Sequence, residues 1–300
     1  MSSKKDETIP RATGLLVIEV QNSNPNGDPD SESDPSQRSH DQRGIISGVS
    51  FKRKLRDLID NKDGEVWKQL ANGRKPEEHD ILEARRHKRS EIEKLLKNDF
   101  DGFKKRFWDA RVFGNTFLEE GGGDTIRTGV AQFPLGMSVA PIRIERLTMT
   151  KMAPAQGAKD GGEGPTRGMA PLGYRVVEHA VYYMPFFINP TAATKTSCTR
   201  QDIGLLLKLI SPAYPHTASH ARPFVEVRHA WYGEHKNPLG SFSEFRFVEA
   251  MMPTKKIDRN LEKPSTSWAD YDVPASLPED LRDRVANFCD LCGTLPSWVS

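Results

Sequence analysis

Two strand-like segments, Pro141 to Met149 and Tyr174 to Ile188, bracket a stretch between Thr148 and Arg175 that is dominated by Gly, Pro, Ala and Met. That stretch, with Gly157, Gly161, Gly162, Gly164, Pro165 and Gly168, cannot build a core alone. Flanked by strands, it reads as an extended, projecting hairpin-like arm more readily than as a linker between domains. The remaining elements fall into place around it. Leu15 to Val20, apolar and rich in β-branched residues, reads as a buried strand that enters a long loop at Asn22. A helix starts at Ser47, and from Glu65 to about Gly114 the chain is helical and highly charged, an insertion whose Phe107, Trp108, Val112, Phe113 and Phe117 give it an apolar edge. Thr128 to Ile144 is a second β segment interrupted at Pro134 and Gly136. Thr199 to Leu209 has the spacing of an amphipathic helix, Phe224 to Trp231 alternates as a strand, Phe242 to Met251 reads as a further strand, and a final helix is expected around Leu281 to Leu291. The order β, α, helical insertion, β, arm, β, α, β predicts an α+β sandwich with helices on one face of an antiparallel sheet. The expected organisation is a single domain over residues 1–300, with a helical insertion at 60–118, the arm at 148–175 and a tail at 254–300.

Composition narrows the class. With 300 residues and 36% hydrophobic content the chain can bury a sizeable core, and a net charge of +2 means that any nucleic-acid surface must come from local clustering of basic groups. No apolar run reaches the length of about 20 residues that spans a bilayer, and Met1 to Asp6 lacks the apolar segment of a signal peptide. A cytoplasmic protein with no membrane partner is expected. Cys198, Cys289 and Cys292 form no disulfide framework, which suits a reducing compartment, and Cys289 with Cys292 lacks the second pair or nearby histidine of a zinc site. Small buried thiols on a terminal helix are the expectation there.

The segment Ser47 to Asp57 joins an apolar stripe to a basic cluster. Phe51, Leu55, Leu58 and Ile59 recur at helical spacing, Lys52, Arg53 and Arg56 sit together on a neighbouring face, and Ser47 and Ser50 supply hydroxyls with a cap at the first turn. Such a face offers positive charge and donors to an anion; the same pattern also fits the solvated side of an ordinary helix. Met149, Met152 and Met169, near the base of the arm, are adaptable apolar groups able to wedge against a base or to pack on each other.

Reaction motifs are missing. There is no Gly-Lys-Ser/Thr phosphate loop, nucleophile elbow or His-Glu-x-x-His, and His216 and His220 stand four apart in a proline-flanked loop without a third ligand. Asp28, Asp30, Glu32 and Asp34 alternate as in a calcium loop, but Ser33 occupies the glycine position and Ser39 the closing glutamate. No cofactor is expected.

The turn Asn24-Pro25-Asn26-Gly27-Asp28-Pro29-Asp30, the helix around Ser50-Phe-Lys52-Arg53-Lys-Leu-Arg56 and Asp109-Ala-Arg-Val-Phe113-Gly114 form an ordered series. Thr128-Gly129-Val-Ala-Gln132-Phe133, the strand Tyr174 to Pro190 and the segment His229 to Gly240 extend it. Over about Gly14 to Pro253 the chain resembles the repeated backbone subunit of type I CRISPR Cascade complexes, especially subtypes I-C and I-B. The resemblance implies an RRM-like (ferredoxin-like) palm, a helical web and a projecting thumb, with copies stacking as a filament on one CRISPR RNA and no catalysis. It implies guide contacts from Ser47, Ser50, Lys52, Arg53 and Arg56 on the helix and from Gln132 at a sheet edge, with Gly129 allowing close backbone approach. Met149, Lys151, Met152 and Met169 of the arm would complete the RNA-contacting set. The implied partners are the CRISPR RNA, the target DNA strand paired to it, further copies of the chain, and the 5′-end-capping, large and small subunits, in a prokaryotic cytoplasm. The longer Ser31 to Arg43 loop and the Gly/Ala-rich arm depart from the family pattern. Type III relatives cleave target RNA with a loop aspartate after the first strand, so a metal-dependent endoribonuclease using Asp28, Asp30 or Asp34 is the alternative, and a protein-binding filament subunit that never touches RNA is a third reading.

Overall fold

The computed structural model describes residues 8–70, 73–84, 86–114, 128–152 and 169–299. Its strands are β1 (Ala12–Ser23), β2 (Gly27–Asp28), β3 (Asp34–Pro35), β4 (Arg43–Ile46), β5 (Ala131–Gln132), β6 (Gly136–Pro141), β7 (Ile144–Met152), β8 (Met169–Ile188), β9 (Val225–His235), β10 (Thr254–Lys255), β11 (Tyr271–Asp272) and β12 (Val285–Asp290). Its helices are α1 (Gly48–Asp60), α2 (Glu65–Leu70), α3 (Arg89–Asn98), α4 (Phe100–Arg106), α5 (Trp108–Phe113), α6 (Ala193–Thr196), α7 (Arg200–Ile210), α8 (Glu244–Met251) and α9 (Glu279–Arg282). The result is an α+β protein with a large antiparallel sheet.

Among the described residues that sheet runs β12-β9-β1-β8-β6-β4, with β5 and β7 also paired to β8. The long β8 is the hub. One of its edges pairs with β1 from Ala12↔Ile188 to Ser23↔Val177, and the other meets β5, β6 and β7 in turn. The β1–β9 ladder carries a bulge after Val17.

The continuous apolar run of β1 has a direct cause: both of its faces are buried. Leu16, Ile18 and Val20 enter the main core with Phe51, Leu55, Leu58 and Ile59 of α1 and Ile203, Leu206, Leu207 and Ile210 of α7. Leu15 and Val17 enter a second core on the opposite face, with Trp231, Phe247 and Met251 and with Tyr271, Leu277 and Leu281 from the C-terminal segment. Helices therefore do not cover one face only; the chain beyond β9 returns to seal the other.

The charged helical stretch is present as α2 to α5. Phe103 and Phe107 form a small core of its own with Leu82, Ile92 and Ala110, while Trp108, Val112 and Phe113 dock into the main core as the apolar edge requires. Phe117 lies outside the described residues.

Two expected elements differ. Phe242 to Met251 is helical rather than extended: Ser243 caps α8 by accepting from the Arg246 N–H at 3.3 Å, and Phe247 and Met251, four apart, are the residues that pack inward. The expected final helix is confined to α9, and Val285 to Asp290 is instead an edge strand on β9. Cys289 and Cys292 are accordingly half-buried on and just after β12, their thiols pushed up to about 12 chiefly by burial.

Candidate nucleic-acid interface

The amino-terminal turn of α1 is locked from two sides. Asn26, in the turn after β1, accepts from Ser47 Oγ at 2.9 Å and from Ser47 N at 3.2 Å, and donates to Ser36 Oγ at 2.7 Å. Ser47 Oγ in turn accepts from Ser50 N at 3.1 Å, closing the helix cap. On the other side a Cβ on Gly48 would lie 1.8 Å from the Phe133 carbonyl oxygen, so only glycine lets α1 approach the β5–β6 connection. The Ser47 hydroxyl is therefore spent on the cap, and Asn26 is a positioning residue that the basic pattern of the helix does not reveal, although it stands inside the turn motif.

Of the four basic residues of α1, Lys54 is buried, and the three expected at the RNA divide. Lys52 is half-buried with its ammonium 5.8 Å from the Phe113 ring centre, and it makes no ion pair among the described residues. Desolvation, then the charge of Arg56, lowers its pKa from the ordinary lysine value. Arg53 is exposed, paired with Asp57 at 2.7 Å and donating to the Glu83 carbonyl at 3.2 Å. Arg56 is not on the open face. At 3% side-chain exposure it donates to Asp109 at 2.9 Å and pairs with Glu83 at 3.0 Å, holding α5 and the segment before α3 onto α1. The expected basic triad is thus two groups at the surface and one in the core.

At the sheet edge Gln132, half-buried, donates to the Gly129 carbonyl at 3.0 Å. The close approach at Gly129 is made by the protein's own backbone: a Cβ there would lie 2.2 Å from Phe113 C and 2.4 Å from Val112 O. The segments at the base of the expected arm pair as the β7–β8 ladder, in which Met149, Lys151 and Met152 lie opposite Leu172, Ala170 and Met169. The remainder of the expected arm, residues 153–168, lies outside the described residues, as do the side chains of these four site residues.

The loop carboxylates have protein partners. Asp28 accepts from Asp30 N and Ser31 Oγ, both at 3.0 Å, and Asp34 is held by Arg146 and Arg175. The hydrogen bond from Arg146 holds the Asp34 carboxyl below its ordinary value. Among the described residues no group of three or more His, Cys, Asp or Glu side chains is arranged to hold a metal ion, and no helix is long and apolar enough to cross a membrane.

The fold is that of an α+β protein with a large antiparallel sheet, in which the capped start of α1 packs against the β5–β6 connection and β7 pairs with β8. Residues 10–276 match the family of CRISPR-associated protein Cas7, and the chain belongs to that family. Among solved structures, a chain of a "CRISPR RNA-guided surveillance complex, pre-nicking" is 14% identical with TM-score 0.43, over 74% of this chain and 75% of that one. A chain of a "CRISPR RNA-guided surveillance complex" is 15% identical with TM-score 0.42, over 76% and 70%. A chain of a type III-B Cmr-beta assembly bound to cognate target RNA is 11% identical with TM-score 0.37, over 74% and 60%. A search of curated protein sequences finds no significant match.

Proposed function

We propose that the chain is a CRISPR RNA-binding backbone subunit of a type I interference complex: copies line up along the guide and present it for pairing with target DNA. The observation that carries this reading is the family match over residues 10–276. The order of elements supports an RRM-like palm, because β1, α1, β6, β8, α7 and β9 follow a βαββαβ sequence with spatial order β9-β1-β8-β6. The β7–β8 hairpin supports a thumb.

A subunit that holds any guide must grip phosphate and ribose without reading bases. Lys52 and Arg53 supply charge for this, Ser50 and Gln132 supply polar groups, and the Asn26–Ser47 clamp fixes the helix that carries the first three. Sequence specificity is then left to base pairing. The subunit acts without catalysis in a prokaryotic cytoplasm, beside 5′-end-capping, large and small subunits. The endoribonuclease alternative gains nothing from the loop, where Asp28 caps a turn and Asp34 neutralises two arginines.

The test is single-stranded RNA binding against salt for wild type and Lys52→Ala/Arg53→Ala. Each lost phosphate contact lowers the log–log slope by about 0.7, so the double variant should lose about 1.4 equally on unrelated RNA sequences. An unchanged slope refutes the placement of RNA on α1.

A further inference from the structure

Arg146 and Arg175 stand directly opposite each other in the β7–β8 ladder. Like charges at directly opposed positions destabilise an antiparallel pair. Here the repulsion is offset from outside the hairpin. Both arginines converge on the single carboxylate of Asp34: Arg146 bonds both of its oxygens, and Arg175 Nη1 reaches Oδ1 at 3.3 Å. The second amino group of Arg175 meets Glu32. Glu32 comes from the turn between β2 and β3 and Asp34 is the first residue of β3; in the turn Glu32 and Ser33 adopt left-handed φ angles of 50° and 67°, a conformation costly for residues with a side chain. The turn is thus held in an unfavourable shape that delivers two carboxylates to two guanidinium groups.

Two forked guanidinium groups closing on a pair of charged oxygens borne by one atom is the geometry that recognises a phosphodiester. Glu32 and Arg146 are largely open to solvent, with side chains 81% and 70% exposed, whereas Asp34 is 11% exposed. A phosphate therefore meets Arg146 from the outer side, and reaches Arg175, 29% exposed, by displacing the exposed Glu32.

We propose that Arg146 and Arg175 form a phosphodiester-binding site for single-stranded RNA at the base of the arm, and that Glu32 and Asp34 occupy it as built-in phosphate mimics until RNA displaces them. This rests on the reading of the chain as an RNA-binding subunit and adds a contact distant in sequence from α1. The turn then works as a competitor: RNA gains the arginines only by releasing the acids, which favours a continuous strand seated on other contacts over isolated anions.

The experiment is RNA binding across a salt series with the full chain, comparing wild type, Glu32→Gln and Arg146→Gln/Arg175→Gln. Removing the exposed competing charge in Glu32→Gln should tighten RNA binding about two- to fivefold at low salt, the range of an exposed ion pair. The double arginine variant should lose about 1.4 from the log–log salt slope. Wild-type binding with both variants superimposed on it overturns the site while leaving RNA binding through α1 standing. Wild type that binds no RNA overturns both. Unchanged RNA affinity in the arginine variant, with loss of association between copies of the chain, assigns the pair to a protein contact and also overturns the site. Glu32 is a surface residue, so its variant remains informative if the arginine variant fails to fold.

Discussion

Replacing Arg56 with alanine separates what α1 does for the fold from what it does for RNA. The guanidinium is buried, bonded to Asp109 at 2.9 Å and to Glu83 at 3.0 Å, and lies 5.1 Å from the Phe113 ring centre. Asp109, 1% exposed, also accepts from the N–H groups of Leu82 at 2.7 Å and Glu83 at 3.2 Å. Removing Arg56 leaves that carboxylate buried with two amide donors and no cation. Breaking a buried pair from one side costs about 3–5 kcal/mol, and the surviving amide bonds place the loss toward the lower end, about 3 kcal/mol. The half-exposed Glu83 contributes no more than about 1 kcal/mol. Arg53→Ala removes an exposed i,i+4 pair with Asp57 and an exposed hydrogen bond to the Glu83 carbonyl, and should cost less than about 1 kcal/mol. Urea unfolding of the RNA-free protein measures both. A loss below about 1 kcal/mol for Arg56→Ala, or one equal to that of Arg53→Ala, refutes the assignment of Arg56 to the core.

Gly48→Ala should destabilise the protein by about 1–3 kcal/mol, toward the upper end because the obstacle is the Phe133 backbone oxygen rather than a flexible side chain; an unchanged melting temperature contradicts the close approach. His235 accepts from the Ser241 N–H at 2.9 Å and stacks on Phe242, and burial, with Arg11 nearby, pushes it down from an ordinary value of 6.5 to about 4. The unfolded chain then binds the extra proton between pH 6.5 and 4, so this stability is complete above pH 6.5 and falls by up to about 3 kcal/mol as pH drops toward 4. Urea midpoints at pH 7 and 4.5 should converge in His235→Asn relative to wild type, and identical pH dependence rejects the role. With pKa near 12, Cys289 and Cys292 hold about one part in ten thousand as thiolate at pH 8, so a disulfide reagent should label them slowly until urea is added; rapid labelling of the folded protein contradicts their burial.

Elements held by local pattern were readable in the chain. The stripes of α1 and α7 lie where helical spacing places them, and the unbroken apolar run of β1 where a strand buried on both faces is expected. Val285 to Asp290 was not, because its apolar spacing fits a helix while the free edge of β9 selects an extended partner. In Phe242 to Met251, Phe245 and Phe247 stand two apart as in a strand, while the cap at Ser243 and the four-residue spacing of Phe247 and Met251 mark the helix. In the candidate site, Arg56 looked like its neighbours Lys52 and Arg53, since the carboxylate that captures it lies 53 positions away. The Arg146–Arg175 pair was invisible for the same reason, being created by a strand register and a distant turn.

Sealing of the central strands on both faces has a consequence for how such a chain can change. Leu16 and Ile18 answer to one core and Leu15 and Val17 to the other, so a substitution in β1 is judged by volume and shape on whichever side it lands. The groups proposed to meet nucleic acid lie elsewhere, on the first turns of α1, at Gln132 and along the β7–β8 ladder. Stability and the proposed RNA affinity are thereby written in largely separate sets of letters. A mutational scan should resolve into two maps with little overlap, and the periphery can be retuned in charge and reach without renegotiating the interior.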